Sequence, residues 1–410
     1  MVNFVMKRAV SDSPTFTGLK DAFEKFNTDF REEASKDGFS IKSLINDVNE
    51  NINTWNVKFG VNINDIKPDE IVKTLLSHYI EDQNLGGKPI DLNALGQGLQ
   101  RHLIYTLIRL SAKYKSPPTG QKKEFDPDFT LILFEEPEAF LHPSQQEALC
   151  MSLKQLANES TEQVLISSHS PIFVSKQIAN IPGLIRLHRH TAVTEAYQLS
   201  EEDYSSLIDK NTGLYMKFCS ALHDEAIDQN LKTKIQQKNL GDLEPNPDSK
   251  LEEEGIRYFL WLDAERAALF FAKHVIICEG ATEKIFLDLI IDEKWQDLKD
   301  KHVYILDAMG KYNIHRYINL LSELGISHGV LMDGDNDNDI HGLINEFIIS
   351  NRTELTKEIF SFDSDFENFL SIDDASRNEL KPLNVIVKYK NGDIHEDNIS
   401  NLRKIIDTLI

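Results

Sequence analysis

Three short apolar runs in the last third of the chain each end on an acid. His274-Val275-Ile276-Ile277-Cys278 is followed by Glu279, His302-Val303-Tyr304-Ile305-Leu306 by Asp307, and His328-Gly329-Val330-Leu331-Met332 by Asp333. Runs this short, without apolar-polar alternation and separated by helix-length segments, predict strands of a parallel sheet covered on both faces. The covering helices are expected near residues 282–291, 312–324 and 340–349. In such a sheet the crossovers bring every strand's carboxyl end to one edge, where α/β folds hold their ligands. The three acids are therefore expected to converge.

Two further acids extend the set: Glu283, one turn into the helix after Glu279, and Asp335, in the stretch Leu331-Met332-Asp333-Gly334-Asp335-Asn336-Asp337-Asn338-Asp339. Carboxylates gathered at one edge repel one another unless a cation neutralises them. The donors are all oxygens, with no Cys or His at ligand spacing, so Mg²⁺ or Mn²⁺ is favoured over zinc. Two such ions about 3.5 to 4 Å apart would hold the attacking and leaving oxygens of a phosphodiester displacement. A calcium loop fails on spacing: counted from Asp333, the sixth and twelfth positions are Asn338 and Ile344, and counted from Asp335 the glycine position is Ile340. For Asp337 and Asp339 a solvated acidic turn stays open.

Upstream, Leu131-Ile132-Leu133-Phe134-Glu135-Glu136 pairs an apolar strand with two consecutive acids. One carboxylate for Mg²⁺ and the next for an attacking water is what nucleotide hydrolysis needs. His169 closes the next apolar run, residues 164–166 being its strand, and Gly96 and Gly98 precede a helix in a setting suited to phosphate. Residues 131–134, 164–166 and 184–187 are expected in a largely parallel sheet. Near the N-terminus Phe16, Leu19, Phe23, Phe26 and Phe30 are spaced 3, 4, 3, 4, and Leu75, Leu76, Tyr79 and Ile80 follow at a helical step, which predicts helical packing or dimerisation.

The length of 410 residues predicts two or three domains, with 41% apolar and 27% charged residues placing the chain among soluble globular proteins. Boundaries are read as a helical arm or dimerisation region over 1–88, a first α/β lobe over 89–200, a helical linker over 201–265 and a second α/β domain over 266–410, with a boundary loop at 241–247. No apolar run approaches the roughly 20 residues of a membrane span, no signal-peptide core is present, and three scattered cysteines fit a reducing compartment, so a cytoplasmic protein without a membrane partner is expected. A net charge of −22 speaks against a broad basic coat but not against nucleic acid recruited through a metal.

The segments 278–283, 307–311 and 332–335 resemble the Toprim domain shared by topoisomerases, primases and a group of nucleases. Residues 261–263 and 269–273 are similar to the lead-in of the OLD (overcoming lysogenization defect) family of ATPase-nucleases. The resemblance implies that Glu279 is a metal ligand or general acid/base, that Asp333 and Asp335 are paired ligands, and that Glu283, Asp307 and Glu367, in the later acidic stretch 363–368, add to the set. Lys381 is taken as the catalytic lysine, with Lys388 and Lys390 as rivals. Residues 131–143 resemble the second half of an ABC-type ATPase head, as in OLD proteins and their Rad50/SMC-like relatives. This implies Glu135 as the Walker B ligand, Glu136 as the catalytic glutamate, residues 138–142 as the D-loop, His169 as the switch histidine and Gly96 to Gly98 as a divergent signature motif.

The fold class implied is α/β: a partial ABC-type head with a helical arm, then a Toprim domain. The function implied is a Mg²⁺/Mn²⁺-dependent endonuclease or nickase acting on double-stranded DNA, built as a homodimer or larger oligomer, in defence against phage and with another defence-system protein as a possible partner. The alternatives are a Rad50/SMC-like scaffold with a lapsed Toprim site, or another Toprim chemistry such as a topoisomerase, for which none of the eleven tyrosines has an identifiable setting. No GxxxxGK[ST] occurs in the sequence. The chain is thus expected to correspond to the C-terminal two thirds of an OLD-type protein, either shortened or completed by a separate Walker A lobe, with ATP as a cofactor only in that case. The purified chain is expected to hydrolyse ATP weakly or not at all in a phosphate-release assay; robust turnover abolished by Glu136→Gln would refute this.

Overall fold

The computed structural model describes residues 13–52, 57–61, 67, 70, 74, 79–82, 87–90, 94–96, 98–100, 103–104, 106–107, 130–158, 162–175, 178–263, 265–334 and 339–410. They fall into two compact units, residues 1–145 with 151–167, and residues 146–150 with 168–410.

In the first unit, α1 (Pro14–Glu32) runs against α2 (Ile41–Ile52). Proline opens α1 at a position that leaves no helical hydrogen bond unmade. The aromatic seam of α1 stacks largely on itself: the rings of Phe23 and Phe26 are 5.8 Å apart and those of Phe26 and Phe30 are 5.1 Å apart. Ile80 opens a strand, β1 (Ile80–Asp82), which pairs antiparallel with β2 (Lys88–Ile90), so the helical step expected through Ile80 is not what forms; Leu75 and Leu76 lie outside the described residues. β3 (Thr130–Glu135) and β4 (Glu162–Ser167) pair in parallel with Leu133 opposite Leu165, as expected. The helix between them, α3 (Pro143–Ala157), starts on a capping box in which His142 accepts from Ser144 and Gln145 reaches back.

The second unit begins with α4 (Pro171–Ser175) and a hairpin, β5 (Arg186–His190) with β6 (Val193–Tyr197). The expected parallel strand at 184–187 is thus one arm of an antiparallel pair. The cause is the tight turn at Thr191, whose φ of 48° folds the chain straight back. Three helices follow: α5 (Glu201–His223), α6 (Gln229–Gln237) and α7 (Pro247–Trp261). They are more than a tether, because Leu207, Ile208, Leu214, Phe218 and Leu222 share one core with Val275 and Ile277. The loop at 241–247 lies within this unit, and Gly241 sits so close to α5 that an added Cβ would stand 2.9 Å from the Cys219 amide nitrogen.

The remaining elements build a four-stranded, all-parallel sheet: β7 (His274–Cys278), α8 (Ala281–Glu293), α9 (Gln296–Asp300), β8 (Val303–Asp307), α10 (Ile314–Glu323), β9 (Ser327–Met332), α11 (Ile340–Ser350), β10 (Thr356–Ser361), α12 (Phe366–Leu370), α13 (Lys381–Asn391) and α14 (Glu396–Leu409). The strand order is β10-β9-β7-β8, which puts β7 in the middle. Successive residues of β7 divide between two cores. Val275 and Ile277 pack with Ile318, Leu321 and Ile344, whereas Ile276 and Cys278 pack with Phe286, Leu287, Leu402 and Ile406. This double burial is why the strands read as unbroken apolar runs.

Buried polar pairs tie the helices to this frame. Arg316 on α10 donates through Nε and Nη2 to Glu254 on α7, 2.5 Å each, with both side chains nearly sealed from water. Paired geometry of this kind is what lets two charges lie inside a core. Gly329 of β9 is required by α14: an added Cβ would lie 2.5 Å from the Leu409 carbonyl oxygen and 2.6 Å from its Cβ. Gly329→Ala is expected to destabilise the second unit by about 1–3 kcal/mol through overpacking, measured by chemical denaturation.

Candidate active site

The carboxyl edge of the parallel sheet opens into a cleft of about 510 Å³ lined by Glu279, Glu283, Asp307, Asp333, Glu367 and Lys381, together with Gly280, Met309, Gly310 and Asn378. Strand register does the gathering. Cys278 stands opposite both Asp307 on β8 and Leu331 on β9, so the acids that close the three strands emerge side by side. The Glu279 amide donates to the Leu331 carbonyl at 3.1 Å, and the Asp333 amide donates to Glu279 Oε2 at 3.2 Å. The first acid is thus held against the end of β9 before any ligand enters.

Glu283 comes from the first turn of α8 and is 4% exposed. Burial, reinforced by Glu279 and Glu367, pushes its carboxyl from 4.5 up to about 7. Glu367, from α12, is 2% exposed and meets Lys381 Nζ at 3.2 Å. Burial pulls the Lys381 ammonium down, but Glu367, Asp333 and Asp365 together carry it above its ordinary value, so it stays charged. The rival lysines are placed elsewhere: Lys388 faces Asp373 and Asp393, at 3.8 and 3.5 Å, and Lys390 is exposed, neither lining the cleft. Asp307 is partly committed, accepting from the Met309 amide at 2.7 Å and standing 3.9 Å from Arg266 Nη2. Asp335 and Asp337 lie outside the described residues, while Asp339 caps α11 through the Ile340 amide and pairs with Lys234 at 3.1 Å.

Gly334, between the two aspartates, is explained by close approach. Its amide donates to the Ser364 carbonyl at 3.0 Å, and a Cβ there would run into the Phe362 carbonyl. Cys278 offers no competing nucleophile, since burial, with the nearby acids, pushes its thiol well up and keeps it protonated.

Two features escape the sequence reading. Lys311 is 1% exposed, with Nζ donating to the Asp333 carbonyl at 2.7 Å and standing 3.6 Å from Glu279 Oε2. It follows a left-handed turn in which Met309 and Gly310 have φ of 57° and 105°, and local spacing carries no sign that its side chain turns inward. Second, among the described residues, the trio of carboxylates with oxygens within 4.8 Å of one another is Asp365, Glu367 and Asp374. Asp365 there is a helix cap, both oxygens taking donors from Asn368 at 2.8 to 2.9 Å, and Asp374 is exposed. Glu367 is shared between this trio and the cleft at the strand ends.

In the first unit, Glu135 ends β3 and Glu136 follows in a left-handed conformation, φ 42°, its amide donating to the Ser167 carbonyl at 2.8 Å. Gly98 packs on the same turn, where an added Cβ would be 2.8 Å from the Phe140 carbonyl oxygen; this close approach alone requires glycine. Gly96 accepts from the Gln100 amide at 3.1 Å. His169 falls in the second unit, with its ring 6.3 Å from that of Phe271.

Comparison with known proteins finds two matched regions. Residues 10–174 match the family described as an AAA ATPase domain, and residues 270–335 match the TOPRIM domain of overcoming lysogenization defect protein-like proteins. The chain therefore combines an ATPase domain with an OLD-like TOPRIM domain. It is homologous to the OLD and GajA nucleases: it is 24% identical over 316 residues to the endonuclease GajA of Bacillus cereus strain VD045, covering 72% of this chain and 43% of that protein. It is likewise 24% identical over 299 residues to the Old nuclease of Escherichia phage P2, at 72% and 43% coverage. An OLD nuclease of Thermus scotoductus is 24% identical over 204 residues, covering 50% of this chain and 30% of that protein. The chain thus spans less than half the length of these relatives. No helix among the described residues is long and apolar enough to cross a membrane.

The buried Glu283 makes a pH-dependent cost. Below about pH 4.5 its carboxyl is protonated folded and unfolded, so nothing is lost; from there to about pH 7 the unfolded form ionises first, and stability falls by on the order of 3 kcal/mol. Metal-free Glu283→Gln is expected to lack most of this decline in thermal melts at pH 5 and pH 8 in EDTA.

Proposed function

We propose that the chain is the catalytic part of a divalent-cation-dependent DNA endonuclease or nickase. The observation that carries this reading is the single cleft shared by Glu279, Glu283, Asp333, Glu367 and Lys381 at the ends of parallel strands. The donor set fits Mg²⁺ or Mn²⁺: it is all carboxylate, and Glu283, without a nearby cation, is driven toward its neutral form. Glu279, Glu283, Asp333 and Asp335 would hold the ions, with Glu367 and Asp307 at the margin. When bound, such ions activate a water and stabilise the charge of a phosphodiester displacement.

The chain's own groups do the rest. Lys381, kept charged by Glu367 and Asp333 and open to the cleft, is suited to meet a phosphate oxygen as charge builds on it. Glu279, held against the Asp333 amide, fixes the near wall of the cleft. Gly334 lets the chain just after Asp333 pass close to the Phe362 carbonyl beyond the end of β10.

The homologues named endonuclease and nuclease support DNA as substrate, and the OLD resemblance supports a double-stranded one. In the same reading the ATPase domain, through Glu135, Glu136, Gly96, Gly98 and His169, regulates cleavage or assembly, with ATP bound where a Walker A lobe is supplied. A cytoplasmic homodimer or larger oligomer acting in defence against phage, with or without a partner protein, completes the proposal.

With supercoiled plasmid and Mn²⁺ or Mg²⁺, nicked or linear product is expected, absent in EDTA. Asp333→Ala is expected to abolish it and Lys381→Ala to slow it on the order of 100-fold. Relaxed, closed circles would indicate a topoisomerase instead, and no product with either metal would indicate a scaffold.

A further inference from the structure

An ammonium sealed inside a protein is costly unless its charge is answered. Lys311 is 1% exposed and does not line the cleft, so it reaches the acids from the protein side. Its Nζ donates to the Asp333 carbonyl at 2.7 Å and lies 3.6 Å from Glu279 Oε2, the same oxygen that accepts from the Asp333 amide at 3.2 Å. One lysine, delivered by the turn after β8, therefore ties together the ends of the other two acid-bearing strands. It cannot enter the cleft without giving up its hydrogen bond to the Asp333 carbonyl.

We propose that Lys311 is a built-in counter-cation and positioning residue: it holds Glu279 against the end of β9 and offsets the charge of the acid cage while no metal is bound. The inference rests on the metal reading above. A fixed ammonium and an entering divalent ion would then both answer the charge of Glu279, from opposite sides, so they oppose each other. By linkage, removing one strengthens the effect of the other.

The test is the thermal midpoint in EDTA and in saturating Mn²⁺, with Mn²⁺ binding measured by calorimetry on the same proteins. Lys311→Met is expected to melt lower than wild type in EDTA, to show a Mn²⁺-induced rise roughly twice the wild-type one or more, and to bind Mn²⁺ about five-fold tighter. Its plasmid cleavage at saturating Mn²⁺ should nonetheless fall about ten-fold or more, because Glu279 is no longer held. Lys311→Arg, which keeps the charge, should retain the wild-type Mn²⁺ increment even if its midpoint drops. Should Lys311→Met not fold in EDTA, Lys311→Gln, which keeps a donor for the Asp333 carbonyl, is read in the same way.

Equal Mn²⁺ increments in wild type, Lys311→Met and Lys311→Arg would make the lysine a packing residue and overturn the inference. So would loss of Mn²⁺ binding in Lys311→Met. A wild type that shows no Mn²⁺ shift sensitive to Asp333→Ala would overturn the metal reading itself, and this inference with it.

Discussion

Repulsion among carboxylates at one sheet edge is the constraint around which the second unit is organised. A parallel sheet delivers its strand ends to one side whatever residues stand there, so placing acids at three of them commits the fold to managing their charge. Glu279 is held at the end of β9 by its amide on the Leu331 carbonyl, by the Asp333 amide on its Oε2 and by the Lys311 ammonium behind it, not by attraction between the acids.

The compensation is distributed among three different devices. Lys311 supplies positive charge from behind the edge, Lys381 supplies it from within the cleft beside Glu367, and Glu283 is left to sit nearer neutrality through burial. These devices differ in where they stand: Glu283 is buried in the first turn of α8, Lys381 lines the cleft, and Lys311 is sealed behind it on the Asp333 carbonyl. The edge thus combines an acid shifted toward neutrality, an ammonium open to the cleft and an ammonium sealed behind it.

Much of this edge was legible in the sequence because parallel strands announce themselves: Val275 to Cys278 and Val330 to Met332 are apolar at every position, and the acid directly after each marks where the strand stops. Glu367 and Lys381 were legible only through family resemblance, since nothing in local spacing brings α12 and α13 back to the ends of β7 and β9. Lys311 was invisible for a physical reason: a lone lysine after a glycine is ordinarily solvated, and only its burial and its hydrogen bond to the Asp333 carbonyl reveal that it points inward. The hairpin at residues 186–197 was misjudged because a short apolar run does not state its direction, which the turn at Thr191 decides. Gly98 carries a similar ambiguity, as contact with the Phe140 carbonyl and contact with phosphate ask for the same residue.

The two cores that divide the side chains of β7 have a consequence for how variation in this protein would be read. Along β7 neighbouring residues are anchored to opposite cores, so sliding the strand by one position would exchange their faces and carry Cys278 toward the place of Glu279. Registration of the chemistry is therefore inherited from hydrophobic packing on both sides at once. Ile276 and Ile277 do not line the cleft, yet a methyl group lost from either loosens the ruler by which the acids are spaced. Such variants would fold and would resemble active-site defects, although no residue in the cleft had changed.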